Sequence, residues 1–216
     1  MRRLVLDDDD IELTSQLKPG SKPGMVGEEK TMAILFVDLV NFTPFAESLP
    51  TYDVVHALNR YYQRMGRVIE KFGGTIDNYL GDGLLALFDN HDPRQSSMQA
   101  IKSALEIIDE IENLAEYFQP IYKNKLEIRI GLHCGNVVVG ELGPPNDKHS
   151  SVVGDAVNFA SRIEGANKVA GTTFLISNDT HQFVNEYVTV GKQITLPIKG
   201  KQGEHTLFEV VAMRDD

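Results

Sequence analysis

Two aspartates stand where hydrophobic strands should carry no charge. Asp38 closes the run Met32-Ala33-Ile34-Leu35-Phe36-Val37, and Asp82 sits between glycines in Gly81-Asp82-Gly83. A buried strand that leads into a carboxylate incurs a desolvation cost unless something neutralises the charge. Mg²⁺, or Mn²⁺ in its place, would do so with hard oxygen ligands, sharing them with the phosphates of a substrate. Two carboxylates on one site repel each other without a cation. A pair of ions there activates an attacking hydroxyl and neutralises a leaving phosphate. Taken singly, Asp38 also reads as a strand-end cap and Asp82 as a turn aspartate bonded to its own backbone.

Four further features suit the same chemistry. The turn Leu39-Val40-Asn41-Phe42-Thr43 opens a helix, and its backbone N–H groups suit a triphosphate, although Thr43 also fits as a helix cap. Asn158 and Arg162 are four apart in a helical segment and so share a face. An amide there can orient a sugar and a guanidinium can neutralise phosphoryl oxygens, while a solvated surface pair is the plain alternative. Arg129, inside the strand run Glu127-Ile128-Arg129-Ile130-Gly131, points either to solvent or toward phosphates. Lys199 lies in the basic turn Pro197-Ile198-Lys199-Gly200-Lys201, a loop able to close on a phosphate or simply a solvated turn.

The elements that must position these residues follow from periodicity. Residues 32–38 form a first strand with nearly continuous apolar character. Residues 51–72 form a helix with Leu58, Tyr61, Tyr62, Met65, Val68, Ile69 and Phe72 at helical spacing, capped by Thr51 and ended by Gly73-Gly74. Residues 75–80 and 84–88 form a hairpin around the Gly-Asp-Gly turn. Pro93 opens a second helix, about 95–118, with Pro120 beyond its end. Residues 126–135 and 136–143 read as two strands joined by a tight glycine turn. Residues 147–153 are a strand edge and 154–168 a helix whose last turn Gly165 weakens. Strand 173–177, a short helix and a final pair of strands complete the chain. Long helices alternating with strands around an antiparallel hairpin predict an α+β fold. A ferredoxin-like βαββαβ core with a mixed or antiparallel sheet, and helices packed on it, fits this order better than a doubly wound parallel sheet.

Composition sets the outer limits. The chain has 216 residues, 42% of them hydrophobic, enough for one domain. Residues 1–30, with an acidic run and the stretch Leu17-Lys18-Pro19-Gly20-Ser21-Lys22-Pro23-Gly24, read as an N-terminal arm, or a linker to an upstream regulatory domain. Residues 31–216 are the expected catalytic domain. A net charge of −10 argues against a general nucleic-acid binder. The single cysteine, Cys134, forms no internal disulfide and reads as a small buried side chain. No run of 18 apolar residues is present to span a membrane, and no signal peptide is visible. The expectation is a soluble cytoplasmic protein.

Over residues 31–211 the chain resembles the class III nucleotidyl cyclases, the adenylate and guanylate cyclase family. Five stretches carry the likeness in order: Ile34–Thr43, Gly73–Phe88, Ile128–Gly140, Val152–Gly165 and Pro197–Lys201. The resemblance implies conversion of a nucleoside triphosphate to its 3′,5′-cyclic monophosphate and pyrophosphate, in a homodimer with two sites at the subunit interface. It assigns Asp38 and Asp82 to two metal ions, the backbone at Phe42 and Thr43 to phosphate, and Arg129 and Lys199 to the triphosphate. It assigns Asn158 to the ribose and Arg162 to the transition state. Asp38, Asp82 and Arg129 would come from one chain, and Asn158, Arg162 and Lys199 from the other.

Base selection is where the chain departs from the family pattern. The resemblance makes Asn78 and Ser151 the base-reading pair. Adenylate cyclases usually carry lysine at the position of Asn78, with aspartate or threonine at that of Ser151. Guanylate cyclases usually carry glutamate at the first. Asparagine and serine both donate and accept, so adenine and guanine both fit, and a pyrimidine is a further alternative. Ser151 resembles the threonine variant and no glutamate is present, which favours ATP. Diguanylate cyclases share the topology, but their acidic turn differs from Leu80-Gly81-Asp82-Gly83. A degenerate homologue kept for dimerisation is the non-enzymatic alternative.

Overall fold

The computed structural model describes residues 27–122, 126–142, 146 and 149–214. The expected N-terminal arm lies outside the described residues as far as residue 26. From Glu28 the chain is already strand, four residues earlier than the apolar run suggests.

The observed order is β1 (Glu28–Leu39), α1 (Phe42–Glu47), α2 (Thr51–Lys71), β2 (Thr75–Leu80), β3 (Gly83–Phe88), α3 (Pro93–Tyr122) and β4 (Ile128–Leu142). Then come β5 (His149–Val153), α4 (Asp155–Ala170), β6 (Phe174–Ser177), α5 (Asn178–Val184), β7 (Val188–Pro197) and β8 (Glu204–Met213). The strands make one sheet in the order β2-β3-β1-β4-β6-β8-β7, with β5 paired to the outer half of β4. Among the described strands only β4 and β6 run parallel. This is the mixed α+β sheet the element order predicts.

β1 is the central strand, bound to β3 on one side and to β4 on the other. Its alternation explains its unbroken hydrophobicity. Ala33, Leu35, Val37 and Leu39 pack into the main core with Tyr61, Met65 and Ile69 of α2 and Ala104 and Ile107 of α3. Met32 and Ile34 pack the opposite way, against Ala156 and Ala160 of α4. Phe36 and then Asp38 follow on that second face, and Asp38 is only half-buried near the end of the strand.

Three local expectations are corrected. The glycine turn expected at Gly135 is absent, and β4 is one strand of 15 residues. Gly135 stands in mid-ladder opposite Met32. A Cβ on it would lie 2.6 Å from His133 Nε2 and 3.0 Å from the Ala156 Cβ. The glycine admits α4 rather than turning the chain. Thr51 does not cap α2; Pro50 holds the N-cap position, with no side-chain hydrogen bond. Similarly, Thr43 is the second residue of α1, behind Asn41 at the cap.

Two helices run on past their expected ends. α3 continues to Tyr122. α4 passes Gly165 to Ala170 because buried Asn167 ties it down. Asn167 Nδ2 donates to Ile130 O at 2.8 Å and its Oδ1 accepts from Thr172 Oγ1 at 2.8 Å. Gly171, at φ 61°, then ends the helix.

A buried polar chain links β4 to α5. His133 Nδ1 lies 2.8 Å from Ser177 Oγ, which caps α5, and Cys134 N donates to Thr180 Oγ1 at 2.8 Å. Burial holds the Cys134 thiol up at about 11, so it is no nucleophile. Burial, with help from Lys201, lowers the His133 pKa to about 4, against the opposing charges of Asp179 and Asp155. The folded pKa is below that of the unfolded chain, so the neutral ring stabilises the fold above pH ~6.5 and that stability is lost as pH falls toward 4. Urea unfolding should show on the order of 3 kcal/mol lost over that range. His133→Gln, which keeps a partner for Ser177, should remove most of that slope.

Candidate active site

The β1–β3 ladder brings the two aspartates to one place. Val37 pairs with Leu84, so Asp38 comes level with Gly83, beside the turn that carries Asp82. A Cβ on Gly83 would sit 3.0 Å from Asp38 Oδ1, so the glycine leaves room for that carboxylate. Burial pushes the Asp38 pKa up, and the charge of Asp82 adds to the rise while Arg129 opposes it. The expected pair is therefore together and electrostatically coupled. Its chemistry fits a divalent cation: two hard oxygen donors, one of them half-buried and held at a cost that a positive charge relieves.

Tyr62 braces the turn. Its hydroxyl donates to the Gly81 carbonyl, and its ring packs on Tyr79 at 4.4 Å between centroids. Periodicity marks Tyr62 only as an apolar-face residue of α2. Asn41, at φ 56°, swings the chain from β1 directly into α1, whose first residues are Phe42 and Thr43. That turn lines a cleft of about 270 Å³ with Pro44, Phe45, Ser48 and Leu126.

Arg129 is the cross-strand neighbour of Asp38 in the β1–β4 register. Its Nη2 lies 3.5 Å from Asp38 Oδ2, and its Nε donates to Glu164 Oε1 at 2.9 Å. Of the two directions open to Arg129, the solvent face is ruled out. Glu164 was not among the expected residues. Its carboxyl is raised first by burial, then by the charge of Asp38, with Arg129 pulling it down. The available signal was its position, two residues after Arg162 in the same helical segment.

α4 carries different chemistry on its other flank. Asn158 is exposed and Arg162 half-buried. Gly200, in the β7–β8 loop at φ 75°, lies over the Arg162 guanidinium; a Cβ there would be 3.0 Å from Nη2. Arg162 Nη1 is buried and has no hydrogen-bond partner among the described residues. Lys199 is exposed in that loop. Its neighbour Lys201 is the one tied down, donating to Asp155 and lying 4.9 Å from the Phe159 ring.

Within one chain these two groups do not meet. Glu164 faces Arg129 and Asp38, whereas Arg162 faces the β7–β8 loop. The two residues expected to read the base are on separate strands as well. Asn78 lies on the sheet-edge strand β2, opposite Leu85, and Ser151 on β5, opposite Gly140. Passing from β2 to β5 crosses β3, β1 and β4.

An α+β sheet with coupled aspartates at the end of its central strand, beside a hairpin turn, marks a class of domain suited to phosphate chemistry. The chain belongs to one family of that class, the adenylate and guanylate cyclase catalytic domains, whose family model matches residues 26–210. It is 31% identical over 188 residues to an adenylate cyclase of Anabaena cylindrica, covering 85% of this chain and 37% of that protein. It is 31% identical over 161 residues to the receptor-type guanylate cyclase gcy-6 of Caenorhabditis elegans, covering 72% of this chain and 14% of that one. The chain thus spans well under half the length of these relatives. Among solved structures, the adenylyl cyclase CyaB from P. aeruginosa superposes with a TM-score of 0.81 at 25% identity, over 89% of this chain and 99% of that one. The guanylyl cyclase Cya2 superposes with a TM-score of 0.80 at 31% identity, over 88% and 96%. Among the described residues no helix is long and apolar enough to cross a membrane.

Proposed function

We propose that this domain converts ATP to 3′,5′-cyclic AMP and pyrophosphate, at sites that two copies of the chain build together. One observation supports the shared-site reading: on α4, Glu164 bonds Arg129 beside Asp38, while Arg162 lies on the other flank under Gly200. A two-fold pairing would set the first half of one copy against the second half of the other, twice.

Asp38 and Asp82 would hold two Mg²⁺ or Mn²⁺ ions, which supply acidity to the ribose 3′-hydroxyl and positive charge to the phosphates. The chain's own groups position the reactants. The turn at Phe42 and Thr43 receives phosphate oxygens, and Arg129 turns toward the triphosphate from its place beside Asp38. From the second copy, Asn158 orients the ribose, Lys199 meets the triphosphate and Arg162 neutralises charge that builds on the α-phosphoryl oxygens. The buried Nη1 of Arg162, without a hydrogen-bond partner among the described residues, supports that last role, since such a donor suits an incoming oxyanion. Positioning and charge stabilisation then account for most of the rate.

Asn78 and Ser151 read the base, with adenine preferred because Ser151 resembles the threonine variant and no glutamate stands at the position of Asn78. Turnover of ATP, GTP, CTP and UTP should be measured side by side with Mn²⁺. ATP is expected to be the fastest. A faster GTP or pyrimidine triphosphate would reassign the base. No cyclic product from any of the four would leave a dimerisation domain.

A further inference from the structure

The register of β2 against β3 contains an irregularity beside the base-reading position. Thr75 pairs with Leu87 and Ile76 with Ala86, but the next pair is Asn78 with Leu85, so Asp77 is an extra residue. The insertion changes which way the chain presents its side chains. Ile76 packs toward α2, where its Cδ1 would lie 3.6 Å from a Cβ on Gly66, and its partner Ala86 belongs to the α2 core. Asp77, the next residue, is directed to the opposite face. In a regular strand Asn78 would return to the α2 side. Instead it shares the face of its partner Leu85, which packs with Met32, Ile34 and Ala156. The bulge therefore sets two consecutive side chains, Asp77 and Asn78, next to each other on one face.

Asp77 has no structural employment. It is half-buried, yet it makes no hydrogen bond or ion pair among the described residues. A carboxylate only accepts, and the Asp77 oxygens are not among the buried unpartnered atoms of the described residues, so they stay open to a donor from outside the chain. Its neighbour Asn78 can present an N–H₂ to a ring nitrogen. The group that complements a carboxylate beside it is an exocyclic amino group. We propose that Asp77 is a third base-selecting residue, whose carboxylate accepts an N–H from the 6-amino group of adenine while Asn78 faces the ring. This rests on the cyclase reading and on the base-facing role of Asn78.

The test compares ATP with purine riboside triphosphate, which carries hydrogen in place of the 6-amino group. In the wild-type protein kcat/KM should favour ATP by about 10-fold or more, the size of one hydrogen bond to a charged group. In Asp77→Ala that ratio should fall toward 1, and in Asp77→Asn, which keeps a neutral acceptor of the same shape, to an intermediate value. Should the alanine variant fail to fold, the asparagine variant decides by whether its ratio is lower than the wild-type value. An unchanged ratio, or an equal loss with both nucleotides, would overturn the proposal and leave the bulge a purely structural feature. Wild-type protein that makes no cyclic product from ATP removes the underlying reading, and this inference with it, before any variant is compared.

Discussion

Asp82→Ala is expected to lower cyclic nucleotide formation by about 10³-fold or more, a loss of several kcal/mol of transition-state stabilisation. The size follows from what the substitution removes. Asp82 is one of two carboxylates coupled across the edge of β1 and the hairpin turn, and its charge is a cause of the raised Asp38 pKa. Without it, one donor remains for cations that the proposed reaction shares between protein and phosphates. A second readout does not depend on turnover. Because the Asp38 pKa lies above its unfolded value, its ionised form opposes folding. In protein free of divalent metal, that stability is lost as pH rises through the shifted range. A bound cation offsets the cost, so the thermal shift produced by Mn²⁺ should be larger near pH 8 than near pH 5. In Asp82→Ala the shift should shrink at both. Near-normal turnover, or an undiminished Mn²⁺ shift, would remove Asp82 from the metal site.

The parts of this fold that were legible in the sequence are those encoded by neighbours along the chain. β1, the hairpin and the helices α2, α3 and α4 follow from periodicity, and Asp38 and Asp82 stand out because charge interrupts apolar runs. What was not legible depends on register and on approach between distant elements. Gly135 carries a turn signal, but the same residue type is needed where α4 crosses β4. Arg129 alternates correctly for either face, and only the β1–β4 ladder sets it beside Asp38. Glu164 has no meaning as a partner until that ladder exists. The bulge at Asp77 leaves no mark in residue type, since the strand on either side keeps its ordinary composition. The loop lysines show the same limit: Lys199 and Lys201 are equivalent in a basic turn, yet Asp155 holds only Lys201.

Mixing two inactive variants should restore activity that neither has alone. Arg162→Ala is expected to lose about 10²- to 10³-fold, the size seen when one charge-stabilising donor is removed, and Asp82→Ala loses its own half. Each variant alone forms dimers in which both sites lack a required group. With equal amounts and free exchange, half of the dimers are mixed. Each mixed dimer has one site that takes both damaged groups and one that takes neither. Activity should therefore recover to about a quarter of the wild-type value per total protein. The arithmetic requires Arg162 and Asp82 to act across the interface, as the proposed shared site has them do. If both acted within the same chain, every site would retain one defect and mixing would restore nothing. A mixture no more active than its components, under conditions where exchange is verified by a tagged subunit, would therefore place the whole site on a single chain.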